Sequence, residues 1–498
     1  MRTLSQVLGV ARADFGERVR AQSFSVAVIL MLLIAYAVAT GKLRLRLGHY
    51  EGVMNTAWIG SMLALTISTF VALFSFYLIN NTIALDLRSG VHQLLAASPL
   101  SRRSYCFGKW LGSTSLLMSL VIVLFAAGMI VQWIRGEADY FDFAAVLALM
   151  VAVALPMMAL VAAAGLLFET TAWLRGGAGN LLWILCFLVV IQVSAKVFGP
   201  WSPALDLSGL ELIRSNLVRC VQAVDPQFDG RFALTFIAHG NFQSIGCNPI
   251  EWSFPLLIQR FALIGVSAGV VLIAAWRFDR FVDADKEPVP PVASWRKPYV
   301  VSLLRAGPPM KLMFEELRLM LLEGGTLWLV GVSACIAIAL LVPMTAISWV
   351  LLGAWLLPVL PLSRLGCREY RHGTQDLLMT VPVLQLIGSR WIAGFILLLA
   401  SATGVLIRYA IENDIDGIAA VIASACFVAS LAVACGVIAT SEKMFQVTYV
   451  ALIYVGPLNG VPLWNFVSVE EGDAWRWAAY AVAGLLMAAL TRYARRWM

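Results

Sequence analysis

Long apolar runs, each broken by a short polar stretch, recur along the whole chain. A helix needs about 20 apolar residues to cross the hydrocarbon core of a bilayer. In lipid, only helices or closed barrels satisfy the backbone. These runs are too long and too uniformly apolar for barrel strands, so the pattern predicts an all-α integral membrane protein. About 12 transmembrane helices are expected. In the first half they fall near 23–40, 57–83, 111–134, 143–168, 178–198 and 254–276. In the second half they fall near 326–343, 346–362, 391–409, 417–440, 445–463 and 474–491. The predicted organisation is therefore a six-span module over 1–276, a Pro-rich linker over 277–310 and a second six-span module over 311–498. The two modules form parallel repeats.

Amphipathic elements flank these spans. Leu4, Val7, Leu8, Ala11, Phe15 and Val19 recur at helical spacing before the first span, which reads as a helix lying in the membrane interface. A similar segment, 311–320, precedes the first span of the second half. A polar motif then occurs twice, each time between the second and third apolar runs of a half. One copy has Asp86, Arg88, Gly90, Leu94, Leu95 and Pro99; the other has Glu369, Arg371, Gly373, Leu377, Leu378 and Pro382. All six positions align at one constant offset. The acid near a helix start suits the positive end of the helix dipole. The glycine permits a bend or a close backbone approach, and the Leu-Leu pair offers an apolar knob to a partner or, in an ordinary amphipathic interfacial helix, to the membrane. The proline stops the helix.

Composition supports the membrane class. The chain is 60% hydrophobic and 13% charged, against about 25% charged for a soluble domain; mean hydropathy is +0.83. Lys and Arg mark the cytoplasmic side of short loops. Arg2, Arg12, Arg18 and Arg20, then Arg102, Arg103 and Lys109, then Arg364, Arg368 and Arg390, and finally Arg492, Arg495 and Arg496 put both termini inside. Lys109 and its neighbours read as orientation charges. Lys42, Arg44 and Arg46 disagree, because they fall in an outer loop. The net charge of +7 thus reflects orientation and anionic headgroups, with no call for nucleic acid. The outer loop 199–253 has no counterpart of similar length in the second half. It could shape a substrate exit, dock an external partner or be an insertion without a role. Cys220 and Cys247 share it and form a candidate disulfide if it faces an oxidising compartment.

Several chemistries are missing. There is no phosphate-binding loop of the G-x-x-x-x-G-K-[ST] type and no His-Glu-x-x-His pair, so no catalytic, cofactor or metal site is expected. The spans read as short of buried charge, with Lys196 and Arg408 near span ends. An ion-coupled carrier would be expected to hide acids in mid-membrane.

On its interfacial helices and its two motifs, 86–99 and 369–382, the chain resembles the permease subunits of type-2 ABC exporters, with two six-span modules fused. The resemblance implies that each motif is a coupling helix docking on a separate ATPase. It also implies two ATPase copies that carry ATP and Mg, no enzymatic activity on this chain, and a multi-pass location in the bacterial plasma (inner) membrane. A pathway short of buried charge suits a cargo that is a lipid, a peptide or another amphipathic molecule. An ion-coupled carrier of six-plus-six spans and an intramembrane enzyme acting on lipid-linked substrates are the alternatives.

Overall fold

The computed structural model describes residues 2–80, 82–135, 142–171, 206–228, 230, 232–236, 242–278, 308–369, 382–439 and 442–453, with shorter stretches within 174–187 and 456–487. The chain divides into two compact units, Met1–Glu287 and Pro288–Met498. The linker is outside the described residues apart from its two ends, as are most of the expected spans 178–198 and 474–491.

In the first unit, α1 (Arg2–Val19) meets α2 (Gln22–Ala39) at a 73° bend. This is the sharp turn expected where an interfacial helix enters a span. The second expected span is a broken rod. It consists of α3 (Thr56–Thr66), a π-helical turn over Ile67–Val71, α4 (Ala72–Ile79) and, beyond Asn80, α5 (Thr82–Arg88). The hydroxyls of Ser61, Thr66 and Thr69 donate back to the carbonyls four residues earlier, a habit that strains and bends a helix. After α6 (Val91–Ala97) come α7 (Arg102–Arg135) and α8 (Phe143–Leu149). A second π turn, Met150–Ala154, leads into α9 (Leu155–Thr170).

Outside these spans lies a four-stranded sheet. Its strands are β1 (Leu43–Leu47), β2 (Tyr50–Gly52), β3 (Phe232–Phe236) and β4 (Gln243–Ile245), in the order β3-β1-β2-β4. In β1 the residues Leu43, Leu45 and Leu47 are buried, while Arg44 and Arg46 lie on the other face, the period-2 alternation of a half-buried strand. β1 is antiparallel to β3, with Leu43 opposite Phe236 and Leu47 opposite Phe232. Gly48 turns the chain into β2 with φ +61°. β2 runs parallel to β4, with Tyr50 opposite Gln243. The basic residues that contradicted the orientation rule therefore belong to a folded subdomain: Arg44 pairs with Glu51 at 3.1 Å, and Arg46 lies over the Phe242 ring. A bare loop would have been counted by the charge rule; a folded element is a weaker guide to it.

Helix α10 (Leu210–Gln222) shares this outer segment, and α11 (Phe254–Arg277) closes the unit. The chain just before α10 is tied to both π turns. Ser68 Oγ donates to Ser208 O at 2.6 Å. Arg260 of α11 donates to Ala152 O at 2.9 Å and to Asp206 O at 2.5 Å. Arg260 is 1% exposed, which qualifies the expectation that the spans are short of buried charge. A cleft of about 570 Å³ between α10 and α11 is walled by Glu211, Leu212, Arg219, Trp252 and Arg260.

The second unit opens on α12 (Pro308–Leu341), one continuous helix in which the expected interfacial segment runs straight into the span. Next come α13 (Ile347–Leu356) and α14 (Val359–Ser363). α15 (Val383–Ser401) then meets α16 (Thr403–Ile411) at a 59° bend, and α17 (Ile415–Ala439) and α18 (Glu442–Ile453) follow. Its core gathers Trp355, Leu362, Leu398, Val428, Phe445 and Tyr449. Among the described residues of the whole chain, five helices are long and apolar enough to cross a membrane, or up to seven if each bent pair counts as one span.

Candidate functional site

The repeated motif supplies the candidate site, and in the first unit it lies at the far end of the second span from the sheet. The amide N–H groups of Thr82 and Ile83, at the start of α5, both donate to the Glu169 carboxylate of α9 at 2.6 Å. Glu169 thus serves the positive end of the α5 dipole. Asp86, expected in that role, sits near the other end of α5 and does something else. Its Oδ1 accepts from Lys109 Nζ at 2.9 Å and its Oδ2 from the Tyr105 hydroxyl at 2.5 Å.

Lys109 also reaches Asp14 of α1 at 2.9 Å. Arg18 pairs with the same carboxylate at 3.4 Å and donates to Thr82 Oγ1. Asp14, Asp86 and Lys109 are all buried. Lys109 is therefore a contact and not an orientation charge. Small residues make the approach possible: a Cβ on Gly108 would fall 2.6 Å from Val10, and one on Gly112 would fall 3.0 Å from the Ala11 carbonyl. Two glycines four apart on α7 let the α1 backbone lie close, which brings Asp14 to Lys109.

Beyond Asp86 the chain turns. Arg88 ends α5. Gly90 has φ +74° with open space where a Cβ would stand, so it serves the bend and no close approach. α6 follows, ending at Ala97 with Ser98 as its cap and Pro99 beyond. The Leu-Leu knob is split: Leu94 is 75% exposed, whereas Leu95 packs toward the cluster of Ile83, Tyr105, Cys106 and Phe278. The exposed side of the element is apolar at Leu85, Val91 and Leu94.

The second unit repeats the ionic arrangement. Glu369 of the motif accepts from Arg390 Nη1 at 3.1 Å and pairs with its Nη2 at 2.9 Å. Arg390 Nε reaches Glu316 of α12 at 3.1 Å, and Arg368 also binds Glu316. Arg390 and Glu369 are each 2% exposed. In both units an acid from the helix leading into the first span, the motif acid and a cation from the span after the motif are brought together. In both, the residue after the cation is a tryptophan whose indole N–H donates to a neighbouring helix at 2.8 Å, Trp110 to Ala159 O and Trp391 to Ser430 Oγ. Arg371, Gly373, Leu377 and Leu378 lie outside the described residues, and Pro382 precedes α15.

Sequence reading missed Asp14, Glu169 and Glu316 and misjudged Lys109. A usable signal was there: a cation directly before Trp stands at corresponding places in the two halves. Cys220 and Cys247 are both free thiols here. Among the described residues no group of His, Cys, Asp and Glu is arranged to hold a metal ion.

No curated protein and no solved structure matches the chain. Residues 53–216 match the family described as ABC-2 family transporter protein. That segment holds the first motif, the spans on either side of it and the start of α10, and over those residues the chain is similar to the membrane domain of ABC-2 family transporters.

Proposed function

We propose that this chain is the membrane half of an ATP-driven exporter, built by duplication, and that its two motifs dock on two copies of a separate ATPase subunit. Members of the matched family are membrane components that in general work with a nucleotide-binding ATPase. The observation that carries the reading is the α5–α6 element: an exposed apolar face at Val91 and Leu94, held by a left-handed glycine and clamped from behind by Asp86–Lys109–Asp14. A protein that met only solvent there would gain nothing from exposing Leu94.

In this reading ATP draws the two ATPase subunits together. Each subunit pushes on one motif, and the buried ion pairs pass the displacement to the third span and to the interfacial helix at once. The two halves then alternate between inward- and outward-facing states, and hydrolysis resets them. Both termini lie in the cytoplasm of a bacterial cell, and the sheet and the α10–α11 cleft face outward, where they form an exit or receive an outer partner. An amphipathic cargo remains the proposal, with the buried Arg260 weighing against the reason drawn from spans short of buried charge.

Purification from native membranes in mild detergent tests the proposal. A chain with a phosphate-binding loop should co-purify and give Mg-dependent ATP hydrolysis. Solitary, ATPase-free protein in several mild detergents, with transport driven by an ion gradient, would overturn it in favour of the carrier.

A further inference from the structure

Cys220 lies near the end of α10, and Cys247 follows β4. The structure brings these two thiols together. The Cys247 thiol and the Asn248 backbone N–H lie close enough to Cys220 Sγ to act on its titration. The surroundings fix this register from both sides. Asn216, one turn before Cys220, donates to Asn248 O at 3.3 Å. Asn55, which caps α3, donates to Cys247 O at 3.0 Å, and Val53 N–H donates to Ile245 O at 2.9 Å. Cys247 is buried and Cys220 is half-buried, so Cys220 is the more accessible of the two residues.

We propose that Cys220 and Cys247 form a redox-reactive dithiol, with Cys220 as the attacking sulfur and Cys247 as the resolving one, oxidised by small-molecule disulfides. The Cys220 thiolate attacks one sulfur of the oxidant, forming a mixed disulfide and expelling one thiolate. The Cys247 sulfur then attacks Cys220 Sγ, and its proton passes to the second thiolate as it leaves. One small disulfide is reduced to two thiols while two protein thiols become one disulfide.

The neighbouring Cys247 thiol, helped by the Asn248 N–H and by Arg219, holds the Cys220 thiol below its ordinary value. The same contact, with burial, pushes Cys247 up. A thiol held below its ordinary value carries more of the thiolate, which is the reactive form. The bond would tie the end of α10 to the sheet. The other end is already tied by Ser208 to Ser68 and by Asp206 to Arg260. Oxidation would thus pin at both ends the helix that walls the outer cleft. This chemistry does not rest on the transport reading; only the resting state in the cell rests on the outward orientation.

The full-length protein in detergent is treated with oxidised glutathione or with dithiothreitol, alkylated and digested for mass spectrometry. After glutathione disulfide, the Cys220 and Cys247 peptides should appear joined and lighter by two hydrogens. In Cys247→Ala the glutathione adduct should persist on Cys220. The alkylation rate of Cys220 should have its midpoint below that of an ordinary thiol in the wild type and move upward in Cys247→Ala. Two freely alkylated thiols after oxidation, or a lasting glutathione adduct on Cys220 beside a free Cys247 in the wild type, would overturn the proposal. Both decisive outcomes are read on the unmutated chain.

Discussion

Replacing Arg390 with methionine lowers the stability of the second unit by about 3–5 kcal/mol, the usual cost of removing one partner of a buried ion pair. Arg390 holds Glu369 with two guanidinium nitrogens and Glu316 with a third. Arg368 stays on Glu316 when Arg390 is lost, so Glu369 is the carboxylate that loses its two-pronged guanidinium contact. The double variant R390M/E369Q should therefore recover most of the loss, because the buried negative charge goes with the cation. Arg390→Lys should recover only part of it, since an ammonium cannot bridge in the planar, two-pronged way of a guanidinium. Thermal unfolding in nanodiscs, followed by limited proteolysis, measures all three. An R390M protein as stable as the wild type would mean that the cluster ties nothing together.

Changing Leu94 to aspartate should leave the fold intact and release the ATPase. Leu94 is 75% exposed and touches little of its own chain, so a charge there costs the free protein almost nothing. At the centre of a docked apolar patch the same change removes a hot spot worth about 2 kcal/mol or more, roughly a 30-fold loss of affinity. Leu95→Asp should do the opposite. Leu95 packs against the cluster around Tyr105, Cys106 and Phe278, and a carboxylate placed there destabilises the fold before it affects any partner. Retained subunit in pull-downs and the unfolding temperature of each variant separate the two effects. An L94D protein that keeps its ATPase at wild-type yield would remove α6 from the docking surface.

What the sequence revealed follows from the range of each interaction. The apolar runs are local and predicted Thr56–Leu87, Phe143–Thr170, Phe254–Arg277 and Ile415–Ile438 closely. In the first copy of the contiguous motif the bend at Gly90 and the helix end before Pro99 were also legible, but the role read for Asp86 was not. The ion cluster was not, because Asp14, Asp86 and Lys109 come from three separate elements and meet only after α1 settles on Gly108 and Gly112. A lysine beside two arginines at a membrane edge looks like an orientation charge until its two carboxylates are in view. Arg260 was hidden for a related reason: a single arginine near the start of an apolar helix gives no sign that a π-turn carbonyl, that of Ala152, awaits it. The strand Leu43–Leu47 could have been read from its strict alternation, but its charges were counted as loop charges.

Site-specific photo-crosslinking in native membranes tests the central claim most directly. A photoreactive phenylalanine analogue at position 94 should cross-link to a chain bearing a phosphate-binding loop, and the adduct should change in yield when ATP is added. The same analogue at Val224, exposed beyond α10 on the proposed outer side, should give no such adduct. Cross-links to lipid alone at position 94, or equal capture of the ATPase from position 224, would contradict the account.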